Sequence, residues 1–383
     1  MISLIIPSYN NLQHLKNCYI SIKKHAPNVE IILLDDGSTD NTWEWIKQQD
    51  CVKYRSKTRV GHTILYDEGI KLATNEIVGI LHADMIIGPN YIENLLKHLK
   101  PQTIVCATRI EPPLHPPGKE KIIKNFGIDF DSLNIEEFEN FCIITQNDFK
   151  NQTTKGMFAP WILYKSDFQA IGGHDPLFAP FPYEDSDIFQ RWILAGYNLI
   201  QSRDSLVYHL TCRGHRWNNQ IGKDDEYYQI VSNKAARNYL RKWGTWIKND
   251  EYQYPIISHR YDISFVVKNC HYDALYNLEP WCNRIYIEDE KIANLYIQNE
   301  QPNTKFDLNK KINNPHIKGD IIIHFDIKDN ITQQSYNIIQ NLPDIITNSG
   351  YVGEFELDCF KFDIKNIKYY EDKLIQLDYL LYL

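Results

Sequence analysis

None of the eight cysteines stands in a CxxC pair: Cys18, Cys51, Cys106, Cys142, Cys212, Cys270, Cys282 and Cys359 are scattered along 383 residues. That pattern encodes neither a zinc ribbon nor a disulfide framework, and reduced thiols in a cytoplasmic setting are the simplest expectation. No uninterrupted apolar run reaches the roughly 18 to 20 residues that a helix needs to cross a bilayer. No transmembrane segment is therefore expected, and any membrane contact would be peripheral. The first residues, Met1-Ile2-Ser3-Leu4-Ile5-Ile6-Pro7, have no basic stretch and too short an apolar core for a signal peptide, and they read as a first strand. Positive charge is not in excess either. A formal net charge of -8 argues against a protein that tracks phosphates along a nucleic acid, local basic patches such as Lys119 to Lys124 aside, and points to a small molecule or a glycan as partner.

What the chain does have is apolar bulk, 43% hydrophobic and 13% aromatic, enough for two packed cores at this length. Strand and helix patterns alternate from the start. Ser3 to Ile6, Glu30 to Leu34, Val52 to Arg55, Glu76 to Leu81 and Thr103 to Thr108 read as strands. Leu12, Leu15, Tyr19 and Ile22 share one helical face, and further helices fall near 41 to 48, 62 to 73 and 90 to 99. Alternation of this kind predicts an α/β fold around a mostly parallel, buried sheet. The regularity breaks at Glu111-Pro112-Pro113-Leu114-His115-Pro116-Pro117-Gly118, a proline-rich loop, and resumes with Met157 to Tyr164, a helix over Ser186 to Ala195 and a strand over Leu199 to His209. Residues 1–250 are expected to form the first domain and 255–383 a second, smaller α/β domain. The latter lacks a glycine-rich phosphate loop and any repeat of the first domain's motifs.

Four elements carry chemistry. Leu33-Leu34-Asp35-Asp36-Gly37-Ser38-Thr39-Asp40 runs an apolar strand into paired carboxylates, beside Pro7-Ser8-Tyr9-Asn10 at the end of the first strand. A carboxylate can accept a nucleobase N–H there and a tyrosine ring can stack. Leu81-His82-Ala83-Asp84-Met85 ends a second apolar strand at a carboxylate suited to a hard divalent cation. Pro182-Tyr183-Glu184-Asp185-Ser186-Asp187 sets three carboxylates at a helix N-terminus, where the helix dipole favours the ionised, proton-accepting form. Val207-Tyr208-His209-Leu210, followed by Arg213, His215 and Arg216, offers an imidazole ligand and cations for phosphate. Each motif alone has a plainer reading as a turn, a cap or a structural histidine.

Together the motifs resemble those of family 2 glycosyltransferases of the GT-A fold. The resemblance rests on IIPSYNN, LLDDGSTD, RVGHT at 59–63, HADM, GGHD at 172–175, FPYEDSD and YHL, and spans residues 1 to about 215. It implies an inverting enzyme that moves a sugar from a nucleotide-sugar donor, UDP-linked by expectation, to a hydroxyl of a glycan or other acceptor. It further implies that Asp36 hydrogen-bonds the base, with Pro7, Tyr9, Asp35, Arg59 and Gly61 around the nucleotide. Asp84 and His209 would hold Mn²⁺ or Mg²⁺, and Asp185, with Glu184 beside it, would act as general base. Trp161, His82, Asp187 and Arg213 are expected at the donor or acceptor sugar. HADM keeps one acidic residue where many relatives have two or three, which throws more of the cation binding onto Asp84 and His209. Two other readings compete: a sugar-phosphate nucleotidyltransferase, which needs a glycine-rich loop that Ser8-Tyr9-Asn10-Asn11 does not supply, and a non-catalytic glycan-binding or scaffold protein on the same fold. Acceptor binding or homo-oligomer formation is expected of the C-terminal domain from its position.

Overall fold

The computed structural model describes residues 1–218, 220–329 and 331–377. Two compact units emerge. Met1–Ser232 with Asn249–Ile256 form the first, and Asn233–Lys248 with the described residues from Ile257 onward form the second.

The first unit is built on strands β1 (Ile2–Ser8), β2 (Glu30–Asp35), β3 (Val52–Arg55), β4 (Ile77–Ile80), β5 (Met85–Ile87), β6 (Thr103–Glu111), β7 (Lys121–Ile123), β8 (Thr153–Thr154), β9 (Trp161–Tyr164) and β10 (Asn198–His209). Its helices are α1 (Leu12–His25), α2 (Thr42–Ile46), α3 (His62–Leu72), α4 (Tyr91–Leu96), α5 (Ile135–Asp148), α6 (Lys165–Ala170) and α7 (Glu184–Leu194), and α8 (Glu226–Trp243) starts in this unit and belongs to the second from Asn233 onward. Among the described residues the strands make one sheet in the order β3-β2-β1-β4-β9-β6-β10-β5, with β7 beside β6 and β8 beside β10. The α/β class is as expected, and the sheet is mixed. Pairing is parallel from β3 to β4 and between β6 and β10, whereas β9 runs against both its neighbours and β5 against β10.

Burial explains the strand assignments. β6 is buried at every position, and Ile5, Ile6, Leu33 and Leu34 are fully enclosed, as strands covered on both faces must be. Leu15, Cys18, Tyr19 and Ile22 of α1 and Tyr91, Ile92 and Leu95 of α4 pack against this sheet in one cluster. Each such aliphatic side chain removed from water contributes about 1.5–3 kcal/mol.

This topology sets the site. Tyr9, Asp36 and Leu81-His82 leave the carboxyl ends of three neighbouring parallel strands, the edge where open α/β sheets take their ligands. On the other side of the sheet centre, β10 lies parallel to β6 with Tyr208 opposite Ile110, and antiparallel to β5 with His209 opposite Met85. The residues just beyond those pairs are Glu111, His209 and Asp84.

The second unit carries β11 (Ile263–Lys268), β12 (Arg284–Ile287), β13 (Ile321–Asp326), β14 (Gly353–Leu357) and β15 (Phe360–Ile364) in the order β12-β11-β13-β15-β14. β11, β12 and β13 are parallel and β15 and β14 antiparallel, so this too is an α/β unit. Its core holds a buried ion cluster in which Glu279 meets Arg241 at 2.7 Å and Lys311 at 2.7 Å. No helix among the described residues is long and apolar enough to cross a membrane.

Candidate active site

Asp36 is 4% exposed, and its carboxylate gathers the loop after β3: the amides of Val60 and Gly61 donate to it at 2.7 and 2.9 Å, and the Ser56 hydroxyl at 3.3 Å. Burial pushes its carboxyl up, and these donors pull it back toward the ionised form. Gly61 has φ +87, and a Cβ there would stand 2.3 Å from Pro180, so only glycine fits. The Arg59 guanidinium lies over the rings of Tyr9 at 4.0 Å and Tyr227 at 4.5 Å, and its buried Nε has no partner. The loop after β1 is tied to the loop after β2 through Asn10, whose side-chain oxygen accepts from the Thr39 amide at 2.8 Å.

Asp35 and Pro7 turn out differently from expectation. Asp35 is fully buried and paired with Arg55 at 3.0 Å, while it also accepts from the Ser38 amide at 3.2 Å. Strand alternation accounts for this: adjacent residues face opposite sides, so Asp35 locks the turn and Asp36 meets the loop. Pro7 is enclosed within β1 as a buried strand residue.

The second constellation is His82, Asp84 and His209, whose candidate ligand atoms all lie within 4.8 Å of one another. Asp84 Oδ1 stands 3.6 Å from His209 Nε2, and Asp84 Oδ2 accepts from the Arg213 amide at 3.1 Å. Burial works against the Asp84 charge, but the surrounding imidazoles, His209 first, hold its carboxyl below the usual range. Burial also drives His82 well below the ordinary imidazole value, so it is neutral and has a lone pair to give. One carboxylate and two imidazoles form a donor set that can hold a divalent cation of the first transition row. His82 therefore belongs with this cluster; the sequence reading had set it at the sugar.

The third constellation surrounds α7. Tyr183, just before the helix, adopts φ 84, a left-handed conformation that costs a non-glycine residue about 1 kcal/mol or more. Glu184 follows, buried, and bonds His62 Nε2 at 2.6 Å. Burial opposes its charge, and His62 outweighs it, so Glu184 is held ionised. Asp185 goes the other way: burial, then the neighbouring Glu184 charge, push its carboxyl up to about 7, and its buried Oδ1 has no partner. The helix dipole, expected to keep this group ionised, is outweighed by those two effects. Two adjacent carboxyls whose environments drive them apart form an acid–base arrangement. His174 lies within electrostatic reach of both, its Nδ1 held by Asp67 at 2.7 Å and its Nε2 buried without a partner.

These constellations are one site. His62, at the head of α3, follows Gly61; burial lowers its proton affinity, but Glu184, then Asp185 and Asp36, more than offset this and raise it. The Tyr66 ring stands 5.5 Å from His62 and 6.4 Å from His82, and its hydroxyl senses Asp185, Glu184 and Asp84. His82 in turn packs 5.6 Å from His209. A cleft of about 650 Å³ opens beside it, lined among others by Tyr9, Asn10, His14, Asp129, Arg213 and Trp217.

Two residues expected at the sugars are not available to them. Trp161 is 0% exposed, wedged against Trp192 at 5.3 Å and Phe168 at 6.2 Å, because β9 is an interior strand. Asp187 is likewise fully buried and bonds Arg191 Nε at 2.7 Å, one turn along α7. Removing one partner of such a pair leaves an uncompensated charge, so Asp187→Ala should destabilise the fold by about 3–5 kcal/mol. Urea unfolding measures this; unchanged stability with a weakened acceptor KM would return Asp187 to the sugar. Arg213 lines the cleft, with its side chain bonded to the Ile128 carbonyl and its Nε and Nη1 buried without hydrogen-bond partners.

Glu111 escaped the sequence reading. It ends β6, is 1% exposed, and its Oε1 stands 3.0 Å from His209 Nδ1. The prolines that follow it gave the segment the look of a loop.

Residues 3–170 match the family described as Glycosyl transferase family 2, and over that stretch the resemblance drawn from the motifs holds. Among curated relatives, glycosyltransferase GlyG of Streptococcus pneumoniae is 34% identical over 106 residues, 26% of this chain and 35% of that protein. Validoxylamine A glucosyltransferase of Streptomyces hygroscopicus subsp. jinggangensis is 22% identical over 237 residues, 54% of each chain. The chain thus spans about a third to a half of the length of these relatives. Among solved structures, GalNAc-T7 with UDP, GalNAc and Mn²⁺ superposes with a TM-score of 0.45 at 18% identity over 66% of this chain and 48% of that one.

Proposed function

We propose, taking the family 2 glycosyl transferase match over residues 3–170 as premise, that this protein transfers a sugar with inversion from a nucleotide-sugar donor to an acceptor hydroxyl. The observation that carries the proposal is Asp185. Its carboxyl is held near neutrality, and its unpartnered oxygen belongs to the same electrostatic neighbourhood as Asp84. A general base works best with a proton affinity near the operating pH. Asp185 takes the proton of the acceptor hydroxyl while that oxygen forms its bond to the anomeric carbon. The bond from that carbon to the diphosphate oxygen breaks, and its electron pair leaves with the nucleoside diphosphate. Glu184, ionised against His62, keeps Asp185 basic through like-charge repulsion.

A divalent cation held by Asp84, His82 and His209 would neutralise the departing diphosphate. Asp36, Gly61, Tyr9 and Arg59 are assigned to the nucleoside, and the cleft bordered by Arg213 to the remainder of the substrates.

The test is turnover and thermal stabilisation across UDP-, GDP- and dTDP-sugars with Mn²⁺, since a donor that binds the folded state raises its melting temperature. At least one donor should do both, UDP-sugars being first in line. If none raises the melting temperature or is turned over, the proposal falls and the non-catalytic reading replaces it.

The proton affinity of Asp185 predicts a pH profile. Because the base must be unprotonated, kcat/KM should climb about tenfold per pH unit on the acid side and level off near 7. A profile flat from pH 5 to 8 would remove Asp185 from that role.

A further inference from the structure

Behind the cluster of His82, Asp84 and His209 stands a further buried carboxylate, Glu111, against His209 Nδ1. We propose that Glu111 is a positioning residue that fixes His209 as its Nδ1-protonated tautomer and so turns the bare Nε2 lone pair toward Asp84. This rests on the reading of His82, Asp84 and His209 as a cation site, and adds to it a residue that contacts neither cation nor substrate.

A neutral imidazole has one N–H and one lone pair, and which nitrogen carries which is decided by its partners. Glu111 Oε1 lies 3.0 Å from His209 Nδ1, while Asp84 Oδ1 lies 3.6 Å from Nε2, beyond hydrogen-bond length. An ionised carboxylate only accepts, so in the neutral ring Nδ1 donates to Glu111 and Nε2 keeps the lone pair. Glu111 is kept ionised by its own surroundings: Arg109 Nη1 at 2.7 Å on one oxygen and Lys121 Nζ at 3.0 Å on the other. Both cations are themselves buried with Glu111, so the ion pairs are shielded from solvent.

The fold makes the contact durable. β6 and β10 run in parallel register through Tyr208 and Ile110, which carries Glu111 and His209 to the same level at the strand ends. Both side chains are enclosed, so water does not compete for Nδ1. A carboxylate–histidine pair of this kind orients the ring and raises the electron density at the far nitrogen, and loss of such a partner typically weakens metal binding about 10–100-fold.

The experiment uses full-length protein labelled with ¹⁵N-histidine, its His209 signals assigned by comparison with His209→Gln. In metal-free wild type, at a pH above the imidazole range, the spectra should show a protonated Nδ1 and an unprotonated Nε2. Glu111→Gln, whose amide can donate as well as accept, should show a mixture of tautomers, and its Mn²⁺ dissociation constant, read by electron paramagnetic resonance, should rise about 10–100-fold. A protonated Nε2 in wild type would overturn the inference, as would a Glu111→Gln protein that binds Mn²⁺ with unchanged affinity. Because the tautomer is read without metal or donor, the result stands apart from the transferase proposal. A protein with the expected tautomer that moves no sugar would sink the reaction and leave Glu111 in its place.

Discussion

Asp185→Asn is expected to lower kcat by at least about a hundredfold, since a positioned general base contributes about 10²–10⁴ in rate. That corresponds to roughly 2.7 kcal/mol or more in the barrier. The amide is nearly isosteric but cannot take the acceptor proton. Donor affinity should survive, because Asp36, Gly61 and Arg59, which are assigned to the nucleotide, lie on other elements. Calorimetric titration with donor and Mn²⁺ checks that half of the expectation, and a melting curve checks the fold. Replacing a carboxyl that burial and Glu184 both disfavour as an ion should leave stability unharmed or improved. A variant that retains turnover within about threefold of wild type would show that the proton goes elsewhere.

Asp84→Asn should produce the second large loss. Asp84 is the sole carboxylate in the cluster with His82 and His209. Its removal strips the site of the negative charge that attracts a divalent cation, and Mn²⁺ affinity should fall by more than the about 10–100-fold expected from an outer partner. Turnover should collapse in EDTA for wild type and return on adding Mn²⁺, whereas the variant should recover only at much higher metal. Full turnover in EDTA would retire the cation from the reaction. His82→Ala gives a graded comparison, a neutral ligand lost with the carboxylate retained.

Those residues were readable in the sequence to different degrees, for physical reasons. The strand leading to Asp36 was legible because Ile31 to Leu34 is a short apolar run closed by turn residues, and β2 spans Glu30–Asp35. Side-chain direction was not. Asp35 and Asp36 are adjacent carboxylates, and only the pleat decides that one locks a turn while the other gathers the next loop. Trp161 reads as a sugar platform until β9 is seen between β4 and β6. Glu111 left no local trace, because its partner His209 is 98 positions away and the contact depends on strand pairing. β5 and α5 were also missed; the former is only three residues long, and the latter, Ile135–Asp148, mixes exposed Ile143 and Ile144 with its buried face, blurring the helical stripe.

The adjacency of Gly61 and His62 has a mechanical consequence. The amide of the first is clasped by Asp36 and the ring of the second by Glu184. No spare link of chain separates the two grips, so the loop proposed to meet the nucleotide and the carboxyls proposed to take the proton are gauged against each other by a single peptide unit. Lengthening the polypeptide by one residue at that joint would leave every chemical group present, yet the two halves of the proposed reaction centre would lose their common ruler.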